Sequence, residues 1–177
     1  MPKRKSYKKS CEKLIKLGWI TEVPPMPEGV PKPDDSVLGL SFFRTSLEDE
    51  NFEGDYNNLT LPRTFICRSN VEDIDFEGTD FSESWMCWND FTDALFCNCD
   101  LRNADLRASR FMSCEFMDAD LRGCDLRHSQ FIGCFFDDAK MKGAVMTRDQ
   151  IEDIELDEKQ ERQIDWRDDP GPEPDGG

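Results

Sequence analysis

From Phe76 to Met146 a large apolar residue returns every fifth position without a gap, through Phe81, Met86, Phe91, Phe96, Leu101, Leu106, Phe111, Phe116, Leu121, Leu126, Phe131, Phe136 and Met141. An α-helix repeats every 3.6 residues and a strand every 2, so neither keeps such a set on one face. Two residues before each centre, from Phe91 on, stands a mostly small residue: Asn89, Ala94, Cys99, Ala104, Ser109, Cys114, Ala119, Cys124, Ser129, Cys134, Ala139 and Ala144. Residues two apart in extended backbone point the same way, so each small–large pair fills a narrow interior together. The centres also recur by type after 20 residues: Phe91, Phe111 and Phe131 form one class, and Phe76, Phe96, Phe116 and Phe136 another. Four five-residue segments therefore make one turn of a four-sided solenoid in which like residues stack on like.

The segments NADLR, DADLR and GCDLR resemble the A-(D/N)-L-x-x pattern of the pentapeptide repeat family, and the resemblance extends over about Thr64 to Thr147. It implies an all-β fold, a right-handed quadrilateral β-helix. With coils rising by the inter-strand spacing of ~4.8 Å, roughly four coils make a rod of about 20 Å. Upstream, Leu47 and Phe52 in TSLEDENFEGDY are five apart but out of register, which predicts a first, imperfect coil. NNLTLP follows it, and Pro62, which lacks a backbone donor, predicts a break or an edge there.

Both ends have short helical segments in prospect. SCEKLIKLG reads as a helix with Ser10 as N-cap and Gly18 as terminator, followed by the proline-rich linker VPPMPEGVPKPDD. Beyond the last repeat, Thr147 and Gln150 have capping-box spacing, and Ile151, Ile154 and Leu156 predict one or two helical turns closing the end. The chain divides into a basic N-terminal helix and linker (1–40), the repeat helix (41–146, regular from about 64) and a C-terminal cap with an acidic disordered tail (147–177).

Of the 177 residues, 38 are acidic and 22 basic, a formal charge of −16. Such a charge disfavours nucleic acid and anionic membrane as partners and favours basic or DNA-binding proteins. No apolar run has the length of a signal peptide or a membrane span, so the expectation is a soluble, cytoplasmic protein with its eight cysteines reduced. Cys97 follows a centre and faces out while Cys99 precedes one and faces in, so alternation separates their sulfurs. Cys114 and Cys134 stack one coil apart in a slot filled elsewhere by Ala and Ser, and read as buried filler. His128, the one histidine, has no nucleophile and orienting acid in a recognisable arrangement. Neither a phosphate loop, a metal-ligand spacing nor a nucleophile motif is present, so the sequence points to no catalytic residue, no cofactor and no metal.

What is left is surface. Between Arg68 and Arg102 the chain has no Lys or Arg, so the early coils are expected to be strongly negative, with Asp75, Asp80, Asp90 and Asp93 as candidate contact residues. Arg102 and Arg122 fall 20 apart in one outward column, with Lys142 beyond them, and Arg107 and Arg127 in a second. Each of these arginines stands two residues after an Asp, as ion-pair ladders or as a recognition face. Trp85, Leu95, Met112, Met117, Ile132 and Phe135 are outward and apolar. Either a terminal segment with Trp19 or Trp166 covers them, or they form a partner or homodimer site.

The expected function is that of a rigid, acidic, non-enzymatic protein-binding module, immunity- or antitoxin-like or regulatory. The alternative that the family resemblance implies is a DNA-mimicking inhibitor of a type II topoisomerase, DNA gyrase, of the quinolone-resistance kind. A structural scaffold is the second alternative.

Overall fold

In the computed structural model, which describes residues 3–31, 39–48 and 56–167, the chain winds into a right-handed, four-sided β-helix of about six turns. Its rungs stack in parallel register. One continuous sheet is built from β2 (Ser46–Glu48), β4 (Asn70–Glu72), β5 (Asp90–Thr92), β6 (Arg110–Met112) and β7 (Gln130–Ile132). Val71, Phe91, Phe111 and Phe131 lie directly above one another in it, and this is side I. Single parallel bridges at 20-residue spacing join the other sides. Side II carries Tyr56, Phe76, Phe96, Phe116 and Phe136; side III carries Leu61, Phe81, Leu101, Leu121 and Met141; side IV carries Ile66, Met86, Leu106, Leu126 and Met146. All nineteen centres from Tyr56 on these four sides, counting Val71 through Phe131 of side I, are buried.

The regular register thus begins at Tyr56, one full turn before the first Phe of the unbroken run. Tyr56, Leu61, Ile66 and Val71 are less uniform in type, which hid them. Pro62 marks neither break nor edge. It sits just after its centre, where in other coils the N–H points outward to a carboxylate, as from Ser82 to Asp80 and from Arg102 to Asp100. A residue without that donor loses no ladder bond there. The corner that follows is a turn closed by the centre's carbonyl, as when Ala104 N–H donates to Leu101 at 3.0 Å, and its third residue is left-handed, φ 57° at Asn103. This is type II geometry, in which proline is favoured at the second position.

The first coil is longer than the others. β1 (Ser41–Phe43) pairs with β3 (Phe65–Cys67), and Leu47 stands over Val71, both with an offset of 24 residues. Leu47 therefore does begin the stack; Phe52 lies outside the described residues.

Inside, the rings form ladders. Phe96 and Phe116 stack at 5.1 Å and 9°, Phe116 and Phe136 at 4.9 Å and 5°, and Phe91, Phe111 and Phe131 do the same on side I. The two ladders meet edge-to-face, Phe111 against Phe116 at 5.4 Å and 72°. A polar ladder runs beside them: Ser129 Oγ donates to Leu106 O, Ser109 Oγ to Met86 O and Asn89 Nδ2 to Ile66 O. These contacts satisfy carbonyls that the turns would otherwise leave buried and unpaired.

Both ends are closed. α1 (Tyr7–Lys16) is capped by Ser6, not Ser10. Ser10 is buried, because its hydroxyl bonds Ser6 O and accepts from Thr60 N, tying the helix to the first turn. Cys11 and Leu14 plug the end, and Trp19 stacks on Tyr56 at 4.6 Å. At the other end β8 (Val145–Thr147) pairs with β9 (Asp165–Arg167), placing Trp166 one further rung along. Between them a 3-10 helix (Arg148–Glu152) and α2 (Glu158–Gln163) replace two sides.

Candidate interaction surfaces

Around this rod the outward residues fall into columns, and the columns separate charge by side. Among the described residues, side I with its following corner carries Glu48, Glu72, Asp73, Asp90 and Asp93 against Arg110 alone. Side II carries Asp75, Glu77, Glu115, Asp118, Asp137 and Asp138, and among its described coil residues no Lys or Arg. Side III balances Asp80, Glu83, Asp100 and Asp120 with Arg63, Arg102, Arg122, Lys140 and Lys142. On side IV Asp105 and Asp125 face Arg44, Arg68, Arg107, Arg127 and Arg148. The asymmetry that the sequence suggested lay along the rod, from acidic early coils to mixed later ones. In the folded chain it runs around the rod, because a period of 20 sorts each column onto one side.

The four aspartates singled out by sequence consequently do not converge. Asp90 and Asp93 are exposed on side I; Asp75 is on side II, accepting from Glu77 N and Asn57 Nδ2; Asp80 is on side III. The early coils are not free of bases in space either: Arg4 Nη1 approaches Asp80 at 3.9 Å and Asp100 at 3.7 Å, and Arg63 pairs with Glu83 at 2.7 Å.

The arginine columns are bidentate ladders. Nε and Nη2 of Arg102 meet Asp100 at 2.8 and 2.7 Å, and Arg107 meets Asp105 at 2.9 and 2.7 Å. Arg122–Asp120 and Arg127–Asp125 repeat the geometry. Burial pushes the carboxyl pKa values of Asp100, Asp105 and Asp120 up, but the guanidinium bonds outweigh it and hold them below the ordinary Asp range. Arg102 and Arg122 are exposed, whereas Arg107 and Arg127 are half-buried. Their planar forks are already engaged, so these columns serve mainly to set the side chains.

Apolar side chains gather elsewhere. Met112 and Ile132 end their strands on side I; around the corner Met117 and Phe135 stand on side II. Ile132 is 49% and Phe135 55% exposed. Among the described residues the terminal segments do not cover this seam: Trp19 packs into the first coil and Trp166 extends the last. A cleft of about 350 Å3 adjoins it, bounded by Cys134, Phe135, Asp137, Asp138, Glu155 and Leu156. Leu95 lies two rungs below Phe135 and is half-buried. Trp85 is not part of the seam; it stands on side IV above Phe65. The exposed Phe43 and Trp88, near Trp85, escaped sequence reading because one lies in the offset first coil and the other occupies a corner outside the small–large rhythm.

All eight cysteines are free thiols. Cys99 and Cys124 are fully buried and their pKa values are raised by desolvation. Burial and the Glu115 carboxylate push Cys97 up to about 11. Cys134 goes the other way: it is half-buried, and a hydrogen bond from Cys114 lowers it. Since the thiolate is the nucleophile, iodoacetamide is expected to alkylate Cys134 first in the folded protein and Cys99 and Cys124 last, as read by peptide mass mapping over time. Preferential labelling of Cys124 would contradict the packing described. His128 is a half-buried corner residue, and among the described residues no three His, Cys, Asp or Glu side chains group as a metal site.

The fold and its columns define a four-sided solenoid of five-residue repeats whose outward columns form its candidate surfaces. The sequence model of pentapeptide repeats matches residues 90–127 and 118–148, with eight copies, and the chain is a pentapeptide repeat protein. No curated protein matches it in sequence. Among solved structures, a pentapeptide repeat protein of the Arabidopsis thaliana thylakoid lumen is 20% identical, over 66% of this chain and 72% of that one, with a TM-score of 0.38. HetL of Nostoc sp. strain PCC 7120, involved in heterocyst differentiation regulation, is 18% identical over 62% and 61%, TM-score 0.29. Full-length QnrB1, a plasmid-mediated fluoroquinolone resistance protein, is 16% identical over 59% and 62%, TM-score 0.27.

Proposed function

We propose that the chain acts by binding, without catalysis, as a rigid rod that takes a basic protein partner along sides I and II. The observation that carries this reading is the coincidence of two features at one corner: the uncovered apolar seam of Met112, Met117, Ile132 and Phe135, and the column carboxylates that flank it. Apolar anchors with a charged rim are the anatomy of a protein interface, and the rim's single sign selects a positive partner and speeds its approach. The adjoining cleft has acidic walls in Asp137, Asp138 and Glu155, suited to a Lys or Arg side chain. Neutralising one toxin or regulating one basic effector are functions of this form.

A fluorescein-labelled amphipathic Lys/Leu helix peptide, followed by anisotropy, tests the surface. Phe135→Asp with Ile132→Asp should abolish binding, and Asp90→Lys with Asp93→Lys should weaken it at least tenfold. Asp80→Lys, on side III, should leave it unchanged. Equal losses from all three would sink the assignment to sides I and II. The DNA-mimicking alternative uses the same carboxylates without needing the seam. It expects inhibition in a gyrase supercoiling assay that Asp90→Lys removes and Phe135→Asp spares.

A further inference from the structure

Side IV carries a second surface, over the first three rungs and one corner away from the seam. Phe43, Cys67 and Cys87 form one column there, and Arg44, Arg68 and Trp88 form its neighbour at the turn. The two cysteines are buried, while Phe43 is 50% and Trp88 46% exposed, so the rings stand proud of a sunken floor. Trp88 has φ 62°, in the left-handed region, where a bulky side chain is disfavoured. Other corners hold Gly, Asn, Asp, Ser, Ala, His, Arg or Glu. A tryptophan in that conformation, nearly half exposed, costs the fold strain without being compensated by full burial, and such costs persist where the side chain serves a site.

Charge indicates what the site takes. The Arg44 guanidinium lies 5.2 Å from the Phe43 ring centroid, and no described carboxylate is within ion-pairing distance of it. Among the four sides, side IV has the largest excess of cations over carboxylates. Trp and Arg are enriched among interface hot spots, and Phe is enriched at interfaces generally. A continuous phosphate backbone is a poor occupant, because the exposed Asp90 borders the corner on one side and the next rung above holds Arg107 already paired with Asp105 at 2.7 Å. A short segment with discrete carboxylates fits better.

We infer that this patch binds an acidic, extended peptide segment of a partner protein, with a carboxylate on Arg44 and an aromatic or aliphatic side chain between Phe43 and Trp88. The rod then has two independent surfaces of opposite charge preference, and so could join a basic partner to an acidic one.

The probe is a fluorescein-labelled dodecapeptide alternating Glu with Phe or Leu, titrated with the full chain, beside its Lys counterpart and a dT12 oligonucleotide. The Glu peptide should bind, and binding should weaken at least tenfold with Trp88→Asn and with Arg44→Glu. Phe135→Asp should leave it unchanged, which separates this site from the seam. Asn suits a left-handed corner better than Trp, so Trp88→Asn should keep or raise the melting temperature. A lower melting temperature would make Trp88 a packing residue and overturn the inference. So would binding no tighter than that of the Lys peptide, preference for dT12, or indifference to the two substitutions.

Discussion

Phe116→Ala is expected to destabilise the protein by about 3–5 kcal/mol, the range for emptying a fully buried Phe site. Phe116 has no exposed surface and lies between Phe96 and Phe136 in one ladder and against Phe111 and Phe131 of the other. Removing it deletes two stacked and two edge-to-face contacts at once. The gap cannot close easily, because each rung is held at strand spacing by bonds such as Phe116 N to Phe135 O at 2.7 Å. Collapse would require those bonds to break along the whole rung. Phe116→Leu keeps most of the volume and should cost less than half as much. Urea unfolding followed by circular dichroism reads both; an Ala variant within error of the parent would mean the ladder is not close-packed. Because a solenoid's stability resides in neighbouring-rung interfaces, the loss should show as a broadened transition as well as a shifted midpoint.

Gln150→Ala carries the second-largest expected loss, about 2–4 kcal/mol, from the penalty for leaving buried polar groups unpaired. The side chain of Gln150 is buried and makes four bonds. Nε2 donates to Leu126 O at 2.8 Å and Ser129 O at 2.7 Å; Oε1 accepts from Thr147 N at 2.7 Å and Thr147 Oγ1 at 2.9 Å. It thus supplies, above the last regular coil, the donor that Ser129, Ser109 and Asn89 supply below. Gln160 does the same for Phe136 O and Ala139 O on the opposite side. Gln150→Glu tests donation specifically. An ionised carboxylate cannot donate to the two carbonyls, so at neutral pH this near-isosteric change should cost at least as much as Ala. Its folded-state carboxyl would be held protonated more readily than in the unfolded chain, so part of the loss should return as pH falls. A Glu variant as stable as the parent at pH 7 would refute the capping role.

How far the chain alone revealed this arrangement depends on the repeat. Four-sidedness and the interior set were legible because burial selects the small and large residues, and a period of 20 makes their order visible without coordinates. The pairing of Asp with the Arg two positions later was legible for the same reason. Gln150 was half legible: Thr147 and Gln150 announce a capping box, and the box is present. Its larger part, reaching Leu126 and Ser129, joins residues more than 20 apart and follows no local rule.

Tertiary structure alone decided the rest. The early register at Tyr56 and Leu61 was hidden because ring stacking had not yet imposed one residue type on each column. The offset of 24 in the first coil, which places Phe43 over Cys67 and Leu47 over Val71, depends on strand pairing across intervening residues of irregular composition. The angular segregation of charge was present in the spacing but invisible in a running count, since carboxylates adjacent in sequence turn a corner every five residues. Asp75, Asp80 and Asp90 look like one patch along the chain and face three directions in the rod. By itself the sequence determined the shape of the protein, because one buried pattern repeated identically; which outward residues share a surface was decided only when the coils stacked, since solvent places no periodic demand on them.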